Sequence, residues 1–173
     1  MKKYFLIFFF LIFCVNSFAQ EKIVYLDVNY IISESEAGKY INKELKKIND
    51  KNIEEFKKLE NSIKSEEENL LKQKNLIKEE EFNKKASELR EKYKSYQELK
   101  NNKNNDLKKL RDDAGNKILN IINEILSKYS TENKISLVLE KKNVIIGKSN
   151  LDISDNILNL LNDKIKKVEI KNE

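Results

Sequence analysis

The sequence has no proline, no tryptophan and no histidine, and it carries only three glycines, one cysteine and one methionine in 173 residues. Without proline, nothing forces a helix to break. Without histidine, and with Cys14 as the only thiol, the parts of triad-type nucleophilic catalysis and of a zinc site are missing. Aromatic residues make up 9% of the chain and charged residues 36%, against a usual charged fraction of about a quarter. A compact core of ordinary size cannot be built from this balance, which suits long exposed helices.

What is present begins with Met1-Lys2-Lys3, the apolar run Tyr4 to Val15, and Asn16-Ser17-Phe18-Ala19. These are the charged, apolar and small-residue regions of a secretory signal peptide, with cleavage expected between Ala19 and Gln20. The apolar run falls short of the ~20 residues of a membrane span. Ile12 and Phe13 are too bulky for a lipidation site at Cys14. Cleavage removes the thiol, so stability must come from packing and association. It also removes Lys2 and Lys3, which leaves 32 basic against 29 acidic side chains and a net charge of +3.

The charges are finely interleaved. Glu54 and Lys58, Glu60 and Lys64, Glu68 and Lys72, Glu80 and Lys84, Glu81 and Lys85, and Glu88 and Lys92 are all i,i+4 pairs with the acid first. Each supports a helix by about 0.2–0.5 kcal/mol. This is a solvated helix surface; a nucleic-acid footprint would gather its lysines on one face.

Between Ala37 and Asn133 the apolar residues recur in steps of three and four, which predicts a long helix folded back on itself with a narrow, coiled-coil-like seam. The rising helix is expected over Ala37–Gln73, with Ser35 as its N-cap. It holds an eleven-residue repeat at Ile48, Leu59 and Leu70. The falling helix, from about Lys78, holds a seven-residue pattern at Phe82, Ala86, Leu89, Tyr93 and Tyr96. The reversal is placed near Asn75–Lys78, because Glu79, Glu80 and Glu81 suit a first helical turn. Asn49 to Asn52 then lies opposite Asn101 to Asn104. This polar layer is a candidate hinge, with Asn49, Asn52, Asn101 and Asn104 as its residues, or an ordinary solvated interruption.

The chain ends read differently. Lys22 to Val28 (KIVYLDV) is expected as a buried strand, and ISLVLE, a turn at Lys141-Lys142-Asn143 and VIIG as a β-hairpin. A final helix, with Ser154 as its cap, turns Ile157, Leu158, Leu161, Ile165 and Val168 to one face. The fold class is α+β, mainly α: a long antiparallel helical hairpin projecting from a small β-rich oligomerisation body, with a C-terminal helix. The segments are a signal peptide at 1–19, the body at 20–36 and 115–173, and the arm at 37–114. Val24, Leu26, Val28, Leu137, Leu139, Val144 and Ile146 are the candidate residues of the oligomer body, which is expected to complete itself by association because a three-stranded sheet is marginal alone. Phe56, Leu59, Ile63, Leu70, Phe82, Tyr93 and Tyr96 form the arm's apolar stripe, which either meets a bound partner or zips the two helices together.

Chemistry is absent from this pattern. The carboxylate pairs lie on solvated helices. Gly147-Lys148-Ser149 resembles the end of a phosphate-binding loop, but Lys142 stands where that motif needs its first glycine. It reads as a turn. No enzyme activity, cofactor, metal or nucleic-acid partner is expected.

Taken in order, YLDV, IISESEAGK, the charged hairpin with KQKNLIKEEEF at its reversal, LVLEKKNVIIG and LDISDNILNLLN resemble the Skp/OmpH family of periplasmic chaperones over essentially the whole mature chain. The resemblance implies a homotrimer whose three arms surround a cavity. It implies a periplasmic holdase that binds unfolded outer-membrane proteins there without ATP, with the arm stripe facing the client. It further implies peripheral contact with anionic lipid, for which this arm is only weakly basic. A structural or adaptor coiled coil of the envelope is the alternative, although few residues flank the hairpin and its seam is interrupted.

Overall fold

The computed structural model describes residues 21–170, so the expected signal peptide and its cleavage site at Ala19 and Gln20 lie outside the described residues. The elements are β1 (Lys22–Leu26), α1 (Val28–Glu34), α2 (Glu36–Gln73), α3 (Glu79–Glu132), β2 (Ile135–Glu140) and α4 (Ser154–Lys164). Single 3-10 turns lie at Lys141–Asn143 and Ser149–Leu151. The helices α2 and α3 form the hairpin, and everything else gathers at its root.

β1 and β2 pair in parallel, with Val24 opposite Val138 and Leu26 opposite Glu140. Parallel strands need a long crossover, and here the crossover is the whole arm. On the other edge of β1, Tyr25 pairs with Asp152 in an isolated parallel bridge, and the Ile153 N–H donates to the Tyr25 carbonyl at 2.9 Å. The third strand expected at Val144–Gly147 does not form in the protomer, so the expected β-hairpin is a single strand followed by a 3-10 turn. The place beside β1 is filled by the Asp152 segment. Ile145 and Ile146 are left almost fully exposed. Gly147 packs against the Tyr25 ring, where a Cβ would come within 2.7 Å of a ring carbon.

Two strand and cap expectations are also revised. β1 stops at Leu26, because the Asp27 carboxylate accepts from the Tyr30 N–H at 2.9 Å and caps α1, which makes Val28 helical. Ser154 does not cap α4. Its hydroxyl accepts from the Asp27 N–H at 2.8 Å and donates to the Asp152 carboxylate, so it ties the end of β1 to the start of the last helix. Ile165 and Val168 lie beyond α4, yet the tail still buries Val168 and reaches α3 through the Glu169 carbonyl, which accepts from Lys117 at 3.3 Å.

Ser35 caps α2 as expected. Its hydroxyl accepts from the Gly38 N–H at 3.0 Å and donates to the Ile32 carbonyl at 2.9 Å, with the side chain fully buried. One residue therefore closes α1 and opens α2. The core at the root joins Val24, Leu26, Ile31, Ile41, Leu45, Ile118, Ile122, Ile157 and Leu161, drawn from one strand and four helices. The chain reverses through the turn after Gln73, where the Leu76 N–H donates to the Gln73 carbonyl at 2.8 Å. α3 starts without a side-chain cap, and Glu79, Glu80 and Glu81 face its positive end instead.

A Cβ on Gly38 would sit 1.7 Å from the Ile32 carbonyl oxygen, whereas one on Gly115 would meet nothing within 4 Å. Gly38→Ala should therefore cost about 3 kcal/mol by forcing the two helices apart. Gly115→Ala should add up to about 1 kcal/mol of helix stability. Urea unfolding followed by circular dichroism separates the two, and a Gly38→Ala protein as stable as wild type would refute this account of the junction.

Candidate functional site

The arm is held by one narrow seam. Phe56, Ile63 and Tyr96 are buried together, with Leu59, Leu89 and Leu99 packed against them. The Phe56 and Tyr96 rings meet edge to face at 6.3 Å. Leu70 and Phe82 are half-buried farther out. Of the seven residues considered for a partner-facing stripe, Phe56, Ile63 and Tyr96 are thus committed to joining the helices. Leu59 packs against them, while Leu70 and Phe82 are half-buried and belong to neither apolar cluster. A seam of two helices has no room to show the same face outward. Tyr93 differs: its ring lies 6.3 Å from Tyr96 but is 53% exposed.

The seam is interrupted between Leu45 and Leu107 on the root side and Phe56 and Leu99 on the tip side, because these belong to separate apolar clusters. Asn52 is buried in the gap and Asn49 half-buried. Asn101 and Asn104 are exposed and do not form the facing half of the layer. Lys103 faces it instead, half-buried and 3.8 Å from Glu55. Lys103 is one residue from Asn104 and two from Asn101, so its side chain is turned about 100° and about 200° from theirs around α3, which sequence opposition alone does not resolve.

Polar contacts link the arm's helices along one flank. Lys92 reaches Ser62 at 3.4 Å and Glu66 more closely, and Lys85 reaches Gln73 at 3.2 Å. The hydrogen bonds from Lys92 and Ser62 hold the Glu66 carboxyl below its ordinary pKa. The partners are solvated, so such pairs orient the helices more than they stabilise them.

The body residues divide in two. Val24 and Leu26 are buried in the protomer's own core and face no second copy. β2 pairs beside them in parallel, and they belong to the cluster that the helices of the root complete. Val28 and Val144 are half-buried, while Leu137, Leu139 and Ile146 are exposed. The outer edge of β2 and the segment after it form the open apolar surface of the root.

Near that surface Lys141 donates to Asp152 at 2.8 Å. Burial acts to raise the Asp152 pKa, but hydrogen bonds from Lys141 and from the Ser154 hydroxyl and N–H outweigh it and leave it lowered. Among the described residues, no cluster of acidic side chains is arranged to hold a metal, and no helix is long and apolar enough to cross a membrane.

With this geometry in view, the chain can be set beside known proteins. The profile of the family described as "Outer membrane protein (OmpH-like)" matches residues 22–161. The chain belongs to this family. No curated protein matches the sequence. The fold is similar to a crystal structure of a candidate outer membrane chaperone (OmpH-like) from Caulobacter crescentus CB15, with a TM-score of 0.81 and 19% identity. The similarity covers 90% of this chain and 92% of that one. At this identity the likeness speaks for the architecture: a helical arm on a small root.

The lowered pKa of Asp152 gives a pH prediction. The folded carboxyl binds its proton less tightly than the unfolded one, so its stabilisation is complete above the ordinary value of 3.8 and is lost as pH falls through the lower folded value. Asp152→Asn should lower the melting temperature at about pH 6 and by less at about pH 2. An equal deficit at both pH values would rule out this role for the charge.

Proposed function

We propose that the protein is an ATP-independent holdase of the periplasm, which keeps unfolded outer-membrane proteins soluble before insertion. The observation that carries this reading is the family match over residues 22–161, joined to an arm that offers a long seam-held surface. Unfolded barrel strands alternate apolar and polar residues and need shielding without a shaped site. A long arm with scattered weak contacts suits that task.

In this reading the signal peptide is removed after Ala19, and three protomers associate through the open edge of β2. The exposed side chains of Leu137, Leu139 and Ile146 support that edge as the contact, since a bare apolar strand edge seeks a partner. Peripheral contact with anionic lipid is the weaker part, because a net charge of +3 on the mature chain gives little attraction.

Light scattering of the chain from Gln20 onward should give a stable trimer that holds a urea-diluted outer-membrane barrel protein in a defined complex with no nucleotide. Leu139→Asp should release monomers. A trimer that leaves the barrel protein to aggregate would point to the envelope-spacer alternative, and a trimeric Leu139→Asp protein would remove β2 from the interface.

The gap around Asn49 and Asn52 is proposed as the soft point of the arm, since few buried contacts oppose local opening there. Hydrogen exchange should be faster at the amides of 49–52 and 101–104 than around Leu110 and Ile121. Equal protection would make the layer an ordinary interruption.

A further inference from the structure

The arm has two unlike flanks. On α2, Glu55, Ser62, Glu66 and Gln73 recur at intervals of seven, four and seven, and these are the residues that receive Lys103, Lys92 and Lys85 from α3. Two positions earlier, Ile53, Glu60, Lys64 and Leu71 repeat the same intervals. Two residues on a helix are about 200° apart, so this second row lies across α2 from the first, on the other side of the seam. Ile53 is 54% exposed and Leu71 61%.

Tyr93 of α3 joins this row. It lines a shallow notch of about 120 Å³ with Glu60, Ile63, Tyr96, Gln97 and Lys100, so it stands beside Glu60 on the same flank. Beyond Ile53, Leu71 and Tyr93, the only other largely exposed big apolar side chain among the described arm residues is Leu76, in the turn at the tip. Ile53, Leu71 and Tyr93 all lie off the flank occupied by the cross-helix lysine contacts.

We infer that the flank bearing Ile53, Tyr93 and Leu71 is the surface that takes an extended, unfolded stretch of outer-membrane β-barrel chain, while the lysine-paired flank only braces the hairpin. This rests on the holdase reading above and assigns it a face. Ile53 and Leu71 are about 27 Å apart along the helix, with Tyr93 beside the Glu60 level about 10 Å from the first. Exposed Lys57, Glu60, Lys64 and Glu67 separate them.

That spacing selects the occupant. A partner helix, including one from a second copy, needs an apolar contact at nearly every turn, which four intervening charges deny it. An anionic surface needs a clustered excess of positive charge, and Lys57, Lys64 and Lys100 against Glu60 and Glu67 supply an excess of only one. An extended chain with apolar side chains every second residue, about 6.7 Å apart, can touch separated stations without fixed register. Its polar positions meet the charges between.

The test places a photo-crosslinking amino acid singly at 53, 71 or 93, and on the braced flank at 55, 62 or 92, in otherwise wild-type mature protein. Each protein is irradiated with a urea-unfolded outer-membrane β-barrel protein diluted into buffer. The apolar-flank positions should crosslink at least five times more. In parallel, the triple variant Ile53→Gln, Leu71→Gln, Tyr93→Gln should bind the barrel protein at least tenfold more weakly, with unchanged oligomer mass and helical circular dichroism. Equal crosslinking from both flanks, or a folded triple variant that binds as wild type does, overturns the assignment while leaving the holdase reading in place. A wild-type protein that holds no barrel chain overturns both.

Discussion

The contact between Gly38 and the Ile32 carbonyl fixes how the arm leaves the root. With Ser35 buried beneath it and bonded to both helices, α1 and α2 meet at one angle, and that angle aims the long helix. The rest of the root is arranged to hold this junction still. Ile31 on α1 is packed by Ile118 and Ile122 on α3 and by Ile157 and Leu161 on α4 within one cluster. The Asp27–Ser154–Asp152 chain of hydrogen bonds then joins the end of β1, where α1 begins, to the head of α4. Residues from both ends of the chain thus secure a helix that carries most of its length away from them.

Periodicity made the arm legible. Steps of three and four, the absence of proline, Ser35 and the three glutamates after Lys78 are local signals, and a helix is a local structure. The root was less legible because its pairing is not local. ISLVLE followed by VIIG has the composition of a hairpin, but composition does not say that β1, more than a hundred residues away, takes the place beside β2 in parallel. Ser154 likewise has the identity of a helix cap. Only the approach of the Asp27 N–H shows that its hydroxyl is used elsewhere.

On the arm, the regularly spaced apolar residues are those of the seam, and Phe56, Leu59, Ile63 and Tyr96 among them are used in holding the hairpin. The exposed ones break the seam pattern, which is why a search for regular apolar spacing passes over Ile53 and Leu71. A comparison of rows would have found them, since two rows with the same intervals carry such different residues. The polar layer was half legible: Asn49 and Asn52 lie at the break between two apolar clusters, but its opposing side chain is Lys103, because rotation around α3 decides which member of an asparagine-rich run turns inward.

The length of α2 gives the root a mechanical role. Thirty-eight residues of helix extend about 57 Å. A rotation of about ten degrees where α2 leaves Ser35 would carry the tip sideways by about 10 Å, two turns of helix in distance, while displacing side chains within the first turn by only about 1 Å. The arm is a lever whose short side is the buried junction. Small repacking among a few isoleucines at the root would thereby be magnified into a change in reach at the tip.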